Sequence, residues 1–183
     1  MEADAFRLLG LGFLFEMIDF RIAGFDVLPD IFGFILFGKA LAILGGKNGY
    51  FSRAKKLNPV LLILSVLHIY ERPVQQSGTH VILSNLPALV LGIAIAIMEL
   101  VHVYDVFMGI RELAQKAGNL AIAQAADSKW AQYLGLEIAI ILGFIIAAIP
   151  SIGPLFLLGV LLGTIALAFS IRGYMGRCGE SLA

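Results

Sequence analysis

Residues 84–108 read SNLPALVLGIAIAIMELVHVYDVFM. From Leu86 to Met98 the stretch holds no charged side chain, and about 20 helical residues cover the hydrocarbon core of a bilayer. Pro87 suits a first helical turn, where its missing N–H costs nothing. The stretch therefore predicts a transmembrane helix entered near Leu86. Its second half is not uniformly apolar. Glu99, His102 and Asp105 recur every three residues, a spacing that keeps side chains on one side of a helix.

Working outward, five further apolar stretches lie at about 4–20, 29–46, 58–70, 132–149 and 154–171. The chain is 60% hydrophobic and 14% charged, with mean hydropathy +0.92. Soluble domains average roughly 45–50% apolar and about 25% charged, so lipid is the solvent that suits this surface. These features predict an all-α, polytopic transmembrane bundle of about six spans in three hairpins, forming a single integral membrane domain over 1–183. Residues 109–131 are polar and alanine-rich, and predict a cytoplasmic helical segment with a turn near Gly118-Asn119. The third stretch is the shortest, and a re-entrant or five-span arrangement stays open there. Each hairpin's second helix follows prolines (Pro29, Pro87, Pro150 and Pro154), which fits an ancestral hairpin repeat or simply turn chemistry.

Lys and Arg in short loops set orientation. With the N-terminus inside, the cytoplasmic face collects Arg7, Lys47, Arg53, Lys55, Lys56, Arg111, Lys116, Lys129, Arg172 and Arg177, while the outer face keeps Arg21 and Arg72. Both termini are therefore expected inside. The opening Met-Glu-Ala-Asp lacks a basic n-region, so the first apolar stretch is expected to stay as a span. Tyr70, Tyr104, Trp130, Tyr133 and Tyr174 are expected at span ends, where amphipathic rings favour the interface.

Several function classes are excluded or unsupported. Net charge is zero, so no nucleic-acid footprint is present. Cys178 is the only cysteine; it reads as a free cytoplasmic thiol and cannot form an intrachain disulfide. No phosphate loop and no Ser or Cys beside a His–acid pair occurs, His68 and His80 included, so no cofactor is expected and a membrane enzyme ranks third, behind transport and an accessory role. The basic loop from Lys47 to Lys56 suits anionic headgroups, although the orientation rule already explains its charge.

Two groups of residues carry the remaining chemistry. The outer turn brings together Asp19, Arg21, Asp26 and Asp30. Asp26 is expected to cap the next helix, Asp30 to lie in its first turn, and Arg21 to pair with Asp19 or Asp26. With Glu16 these acids also offer oxygen ligands to a cation. The second group is intramembrane: Lys39, Glu99 and Glu137, with Glu16, His102 and Asp105. Lys39 lies about 15 Å beyond Pro29 at 1.5 Å per residue. A charge at that depth costs at least about 2.5–3.5 kcal/mol, so Lys39 is expected to pair with Glu99 or Glu137. Glu-x-x-His is a di-iron ligand spacing, but it occurs once, and Glu16 and Glu137 are expected at different depths, so no metal site is expected.

The stretch DFRIAGFDVLPDIFGFIL (19–36) resembles an N-terminal signature of small polytopic membrane proteins of Gram-positive bacteria. YDVFMGIRELAQKAGN (104–119) resembles the helix with which that group leaves the membrane. The resemblance implies a bacterial plasma-membrane protein and brings no activity with it. The sequence reading is then a bundle that passes a small solute or ion. Its alternative is an accessory protein that binds another membrane protein, or itself, through small-residue helix faces. The lipid bilayer is the one partner common to both.

Overall fold

A computed structural model describes residues 1–18, 21–22, 25–26, 30–66, 86–146 and 149–183; the side chains of 21–22, 25–26, 86–89 and 144–145 are not described. Among the described residues the fold is all-α. Six helices, α1 (Glu2–Met17), α2 (Asp30–Leu44), α3 (Gly49–Ser65), α4 (Leu86–Lys116), α5 (Leu120–Ile146) and α6 (Gly153–Leu182), are accompanied by one short hairpin ladder. In that ladder β1 (Arg21–Ile22) pairs antiparallel with β2 (Phe25–Asp26), placing Arg21 opposite Asp26. Asp26 is thus a strand residue rather than the expected cap, four positions ahead of the first helical residue. Asp30 does open α2, where its charge meets the positive dipole end.

Local chemistry sets the helix ends. The Asn48 side chain caps α3 by accepting from the Phe51 N–H at 3.0 Å, and its amide donates to the Gly109 carbonyl at 2.8 Å. One residue therefore starts a helix and ties it to α4. At the end of α4, Asn119 N–H reaches Ala114 O at 2.8 Å and Gly118 N–H reaches Gln115 O at 3.0 Å. Gly118 has φ +71°, which completes a Schellman stop. Asn119 then caps α5 through Ile122 N–H. The turn at Gly118-Asn119 is where the sequence placed it. On the near side of that turn the helical segment of 109–131 is the continuation of α4, which runs on to Lys116; on the far side it is the start of α5, which passes through Trp130 without a break. The third apolar stretch is likewise longer than its apolar part. Helix α3 begins at Gly49 and contains Pro59; residues 67–85, with His68, His80 and Arg72, lie outside the described residues.

Each helix packs mainly on its neighbours in sequence, and α6 returns to pack on α1. The pairs are antiparallel, as the Glu2–Lys47, Arg53–Asp105 and Arg111–Asp127 ion pairs require. The result is a closed up-and-down ring. One end, here the Gly118 end, carries Met1, the 45–48 turn, Gly118 and Leu182; the other, the ladder end, carries β1–β2 and the 149–152 turn. Glycines let the helices approach. A Cβ on Gly33 would stand 3.0 Å from Gly12 O, one on Gly10 3.4 Å from Arg172 Cα, and one on Gly179 3.3 Å from Ala3 O.

Burial is concentrated towards the Gly118 end. Val103, Val106, Phe107 and Ile110 of α4, Ile122, Ala123 and Ala126 of α5, and Ile171, Tyr174 and Met175 of α6 are buried. Towards the ladder end the same helices expose Val90, Ile93, Ile97, Ile141, Leu155 and Leu162. Two helices among the described residues are long and apolar enough to cross a membrane: Val90–Lys116 (mean hydropathy 1.9) and Gly153–Leu182 (2.3). Their apolar windows are only 33% and 17% buried, whereas the core helix of a water-soluble fold hides its apolar residues. Helices α1, α2 and α3 have 16, 15 and 17 residues, short of the roughly 20 a full crossing takes.

Two of the expected interface tyrosines are interior. Tyr174 is buried and donates to Ile122 O at 3.1 Å, and Tyr133 is 2% exposed. Cys178 is a free thiol, and it is buried.

Two measurements check this packing. Gly33→Ala drives a methyl onto the Gly12 backbone, an overpacking cost of about 1–3 kcal/mol, and lowers the melting temperature in detergent; Gly173→Ala, in open space, does not. Cys178 resists a maleimide in the folded protein and reacts after denaturation.

Candidate functional site

Four helices bring acids to one cavity. Glu16 and Met17 of α1, Asp30 of α2, Glu99 of α4, Tyr133, Leu136, Glu137 and Ile140 of α5, and Thr164 of α6 line a chamber of about 210 Å³ inside the ring. Glu16 and Glu137, expected at different depths, therefore share one site. The reason is the hairpin register. The end of α1, the start of α2 and the middles of α4, α5 and α6 reach the same level when neighbours run antiparallel.

The chamber's polar groups are held but not satisfied. Tyr133 Oη donates to Glu16 Oε1 at 2.7 Å, while Glu16 Oε2 is buried without a hydrogen-bond partner. Glu16, Glu99 and Glu137 form no ion pair among the described residues. Thr164 Oγ1 donates back to Val160 O at 3.0 Å, so its hydrogen is committed and its lone pairs face the cavity. Sequence reading missed Tyr133 and Thr164. Tyr133 stands four residues before Glu137, one helical turn away on the same face, and Thr164 is an isolated hydroxyl in an apolar run; both signals were present.

An aromatic layer closes the ring beneath the chamber, on its Gly118 side. Phe13 meets Phe37 edge-on at 5.0 Å and stacks on Phe107 at 5.4 Å. Phe37 contacts the His102 ring at 5.2 Å, and Phe107 contacts Tyr174 at 6.3 Å. All five residues are at most 1% exposed, and His102 Nε2 has no partner. The Glu99, His102, Asp105 stripe is thus divided among three settings: chamber, aromatic layer and ion pair. Asp105 is 0% exposed and takes two bonds from Arg53, Nη2 to Oδ1 at 2.5 Å and Nε to Oδ2 at 3.1 Å. Hydrogen bonding and the charge of Asp105 raise the Arg53 pKa further, and the guanidinium also lies 5.1 Å from the Tyr50 ring.

Lys39 is not part of the site. It is exposed and forms no ion pair with Glu99 or Glu137. Helix phase is the cause. Phe37, Ala40, Leu41 and Leu44 occupy the inward face of α2, which turns Lys39 outward with Phe32 and Ile43. Of the outer acidic turn, Asp30 reaches the chamber, Arg21 and Asp26 are cross-strand partners, and Asp19 lies outside the described residues. No group of three or more His, Cys, Asp or Glu among the described residues is placed to hold a metal ion.

A larger cleft of about 460 Å³ lies between α5 and α6, lined by Lys129, Gln132 and Ser170 among others. Its polar groups satisfy one another: Lys129 Nζ donates to Ser170 Oγ at 2.7 Å and to Gln132 Oε1 at 2.8 Å. Burial lowers the Lys129 pKa, and the like charge of Arg177 adds to the effect. That cleft asks for no ligand, whereas the smaller chamber has acceptors to spare.

The Arg53–Asp105 pair is checked by substitution. Arg53→Ala strands a buried carboxylate and lowers the melting temperature more than Asp105→Asn, which leaves only an exposed guanidinium unpaired. No known family model, curated protein or solved structure matches the chain.

Proposed function

We propose that this chain is a multi-pass protein of the bacterial plasma membrane, with six crossing helices and both termini inside, that binds a small cation in its acidic chamber and passes it across the bilayer. The observation that carries the reading is the chamber itself. Glu16, Glu99 and Glu137 arrive from three helices, share a cavity within the ring, and have no ion-pair partner among the described residues. Buried carboxylates without a counter-charge are costly, and ionisable groups at membrane depth mark ion and substrate paths. Helices α1, α2 and α3 are shorter than a straight crossing, and their antiparallel packing in one ring with the two helices of crossing length and hydropathy is what supports placing all six in the bilayer. The bacterial location rests on the resemblance of 19–36 and 104–119. In this reading the Phe13, Phe37, His102 and Phe107 layer is the closed cytoplasmic gate, and transport requires those rings to part.

A second reading, a non-transporting accessory subunit, draws on Lys39. Lys39 lies on the outward face of α2 that also carries the exposed Phe32 and Ile43, where an acidic group of a partner helix would offset the cost of a charge in lipid.

Reconstitution separates the two. Proteoliposomes on a solid-supported membrane are given concentration jumps of Na⁺, K⁺, Mg²⁺ or 1,4-diaminobutane. Transport predicts a current with at least one of them, absent from empty liposomes and suppressed in the Glu99→Gln, Glu137→Gln double variant. Silence with all four from monodisperse protein overturns transport.

A further inference from the structure

Resting on the reading of the chamber as a cation site, we propose that its ligand is a short aliphatic diamine in its diammonium form rather than a bare inorganic ion. The first reason is the spacing of the acids. Inorganic divalent cations take several oxygens at about 2.0–2.6 Å around one point, and no three acidic, His or Cys side chains among the described residues are placed to do that. The carboxylates instead stand around the walls of a space of about 210 Å³. A ligand that satisfies more than one of them must have length.

The second reason is polarity. Tyr133 has committed its hydrogen to Glu16, and Thr164 has committed its own to Val160 O. What the chamber presents is acceptors: Glu16 Oε2, which is buried and unpartnered, the Glu99 and Glu137 carboxylates, and the Thr164 oxygen. A primary ammonium carries three N–H donors, and its hydrogen bonds to carboxylates are charge-assisted. The third reason is the apolar part of the lining. Met17, Leu136 and Ile140 line the same cavity, and apolar side chains at that place suit a methylene chain better than a hydration shell. Two cationic ends on an apolar stem match a chamber whose lining carries both carboxylates and apolar side chains.

The test uses the full chain purified in detergent, with binding followed by calorimetry and by melting temperature. The probes are 1,4-diaminobutane, butylamine, 1,4-butanediol, MgCl₂ and NaCl at equal ionic strength. The diamine is expected to bind and raise the melting temperature. Butylamine should bind about tenfold more weakly or worse, the scale of one lost charge-assisted hydrogen bond, and the diol should not bind. Glu99→Gln and Glu137→Gln should each weaken the diamine by about tenfold or more. Thr164→Val should weaken it less. If Mg²⁺ or Na⁺ binds and is lost in the Glu variants while the diamine is silent, the diamine assignment fails and the cation site stands. Equal binding of diamine and butylamine also defeats it, since a two-ended ligand is then not what the chamber selects. If no probe binds, the cation site falls as well. Should a Glu variant fail to fold, the wild-type ranking of diamine, butylamine, diol and salts still decides.

Discussion

The contact that turns six helices into a ring is the one between α6 and α1. Every other principal interface joins consecutive helices and would form in an open row of hairpins. The last helix closes on the first because Gly10 accepts the Arg172–Met175 segment and Gly179 accepts the backbone of Ala3 at van der Waals distance. Without that closure Thr164 is not brought to the cavity that Glu16 lines, and the wall that α6 supplies is missing. Small residues are the means by which helices in an apolar solvent come close, since lipid provides no hydrophobic drive to push them together.

Closure divides the interior into two levels. Towards the Gly118 end the ring is narrow and filled by rings of Phe13, Phe37, His102 and Phe107. Towards the ladder end α4, α5 and α6 carry few buried residues, and the space within is lined by acids. Aromatic side chains pack the narrow level because they fill large volumes with defined geometry. The acids occupy the wide level because a carboxylate without a partner needs room for whatever neutralises it. Asp105 shows the alternative solution. On the same helix as Glu99, but at the narrow level, it is fully buried and takes both oxygens to Arg53.

Much of this architecture was legible in the sequence. The turn at Gly118-Asn119, the first-turn position of Asp30 and the shared side of Glu99, His102 and Asp105 on one helix follow from local rules. The errors share one cause. Depth along a helix can be counted from a sequence, but the direction a side chain faces depends on neighbours that periodicity does not name. Lys39 was placed at a plausible depth and on the wrong face, because α2 is apolar all round and its pattern does not say which side is in. Glu16 and Glu137 were separated because their levels depend on hairpin register, which the loops conceal. The interior places of Tyr133 and Tyr174 are hidden from the sequence because their partners, Glu16 Oε1 and Ile122 O, lie across the ring rather than nearby in sequence.

Neighbour-to-neighbour packing also bears on how the chain assembles. Five of the six principal interfaces join helices adjacent in sequence, so loop-closure entropy is small at each of those steps. Helices can dock in the order in which they are made. The exception is the α6–α1 seam, which joins residues at opposite ends of the chain and forms last. The acids of the chamber therefore lack the wall that α6 supplies until that helix has been made, and during that interval Glu16, on α1, must be hydrated or held by something other than its mature surroundings.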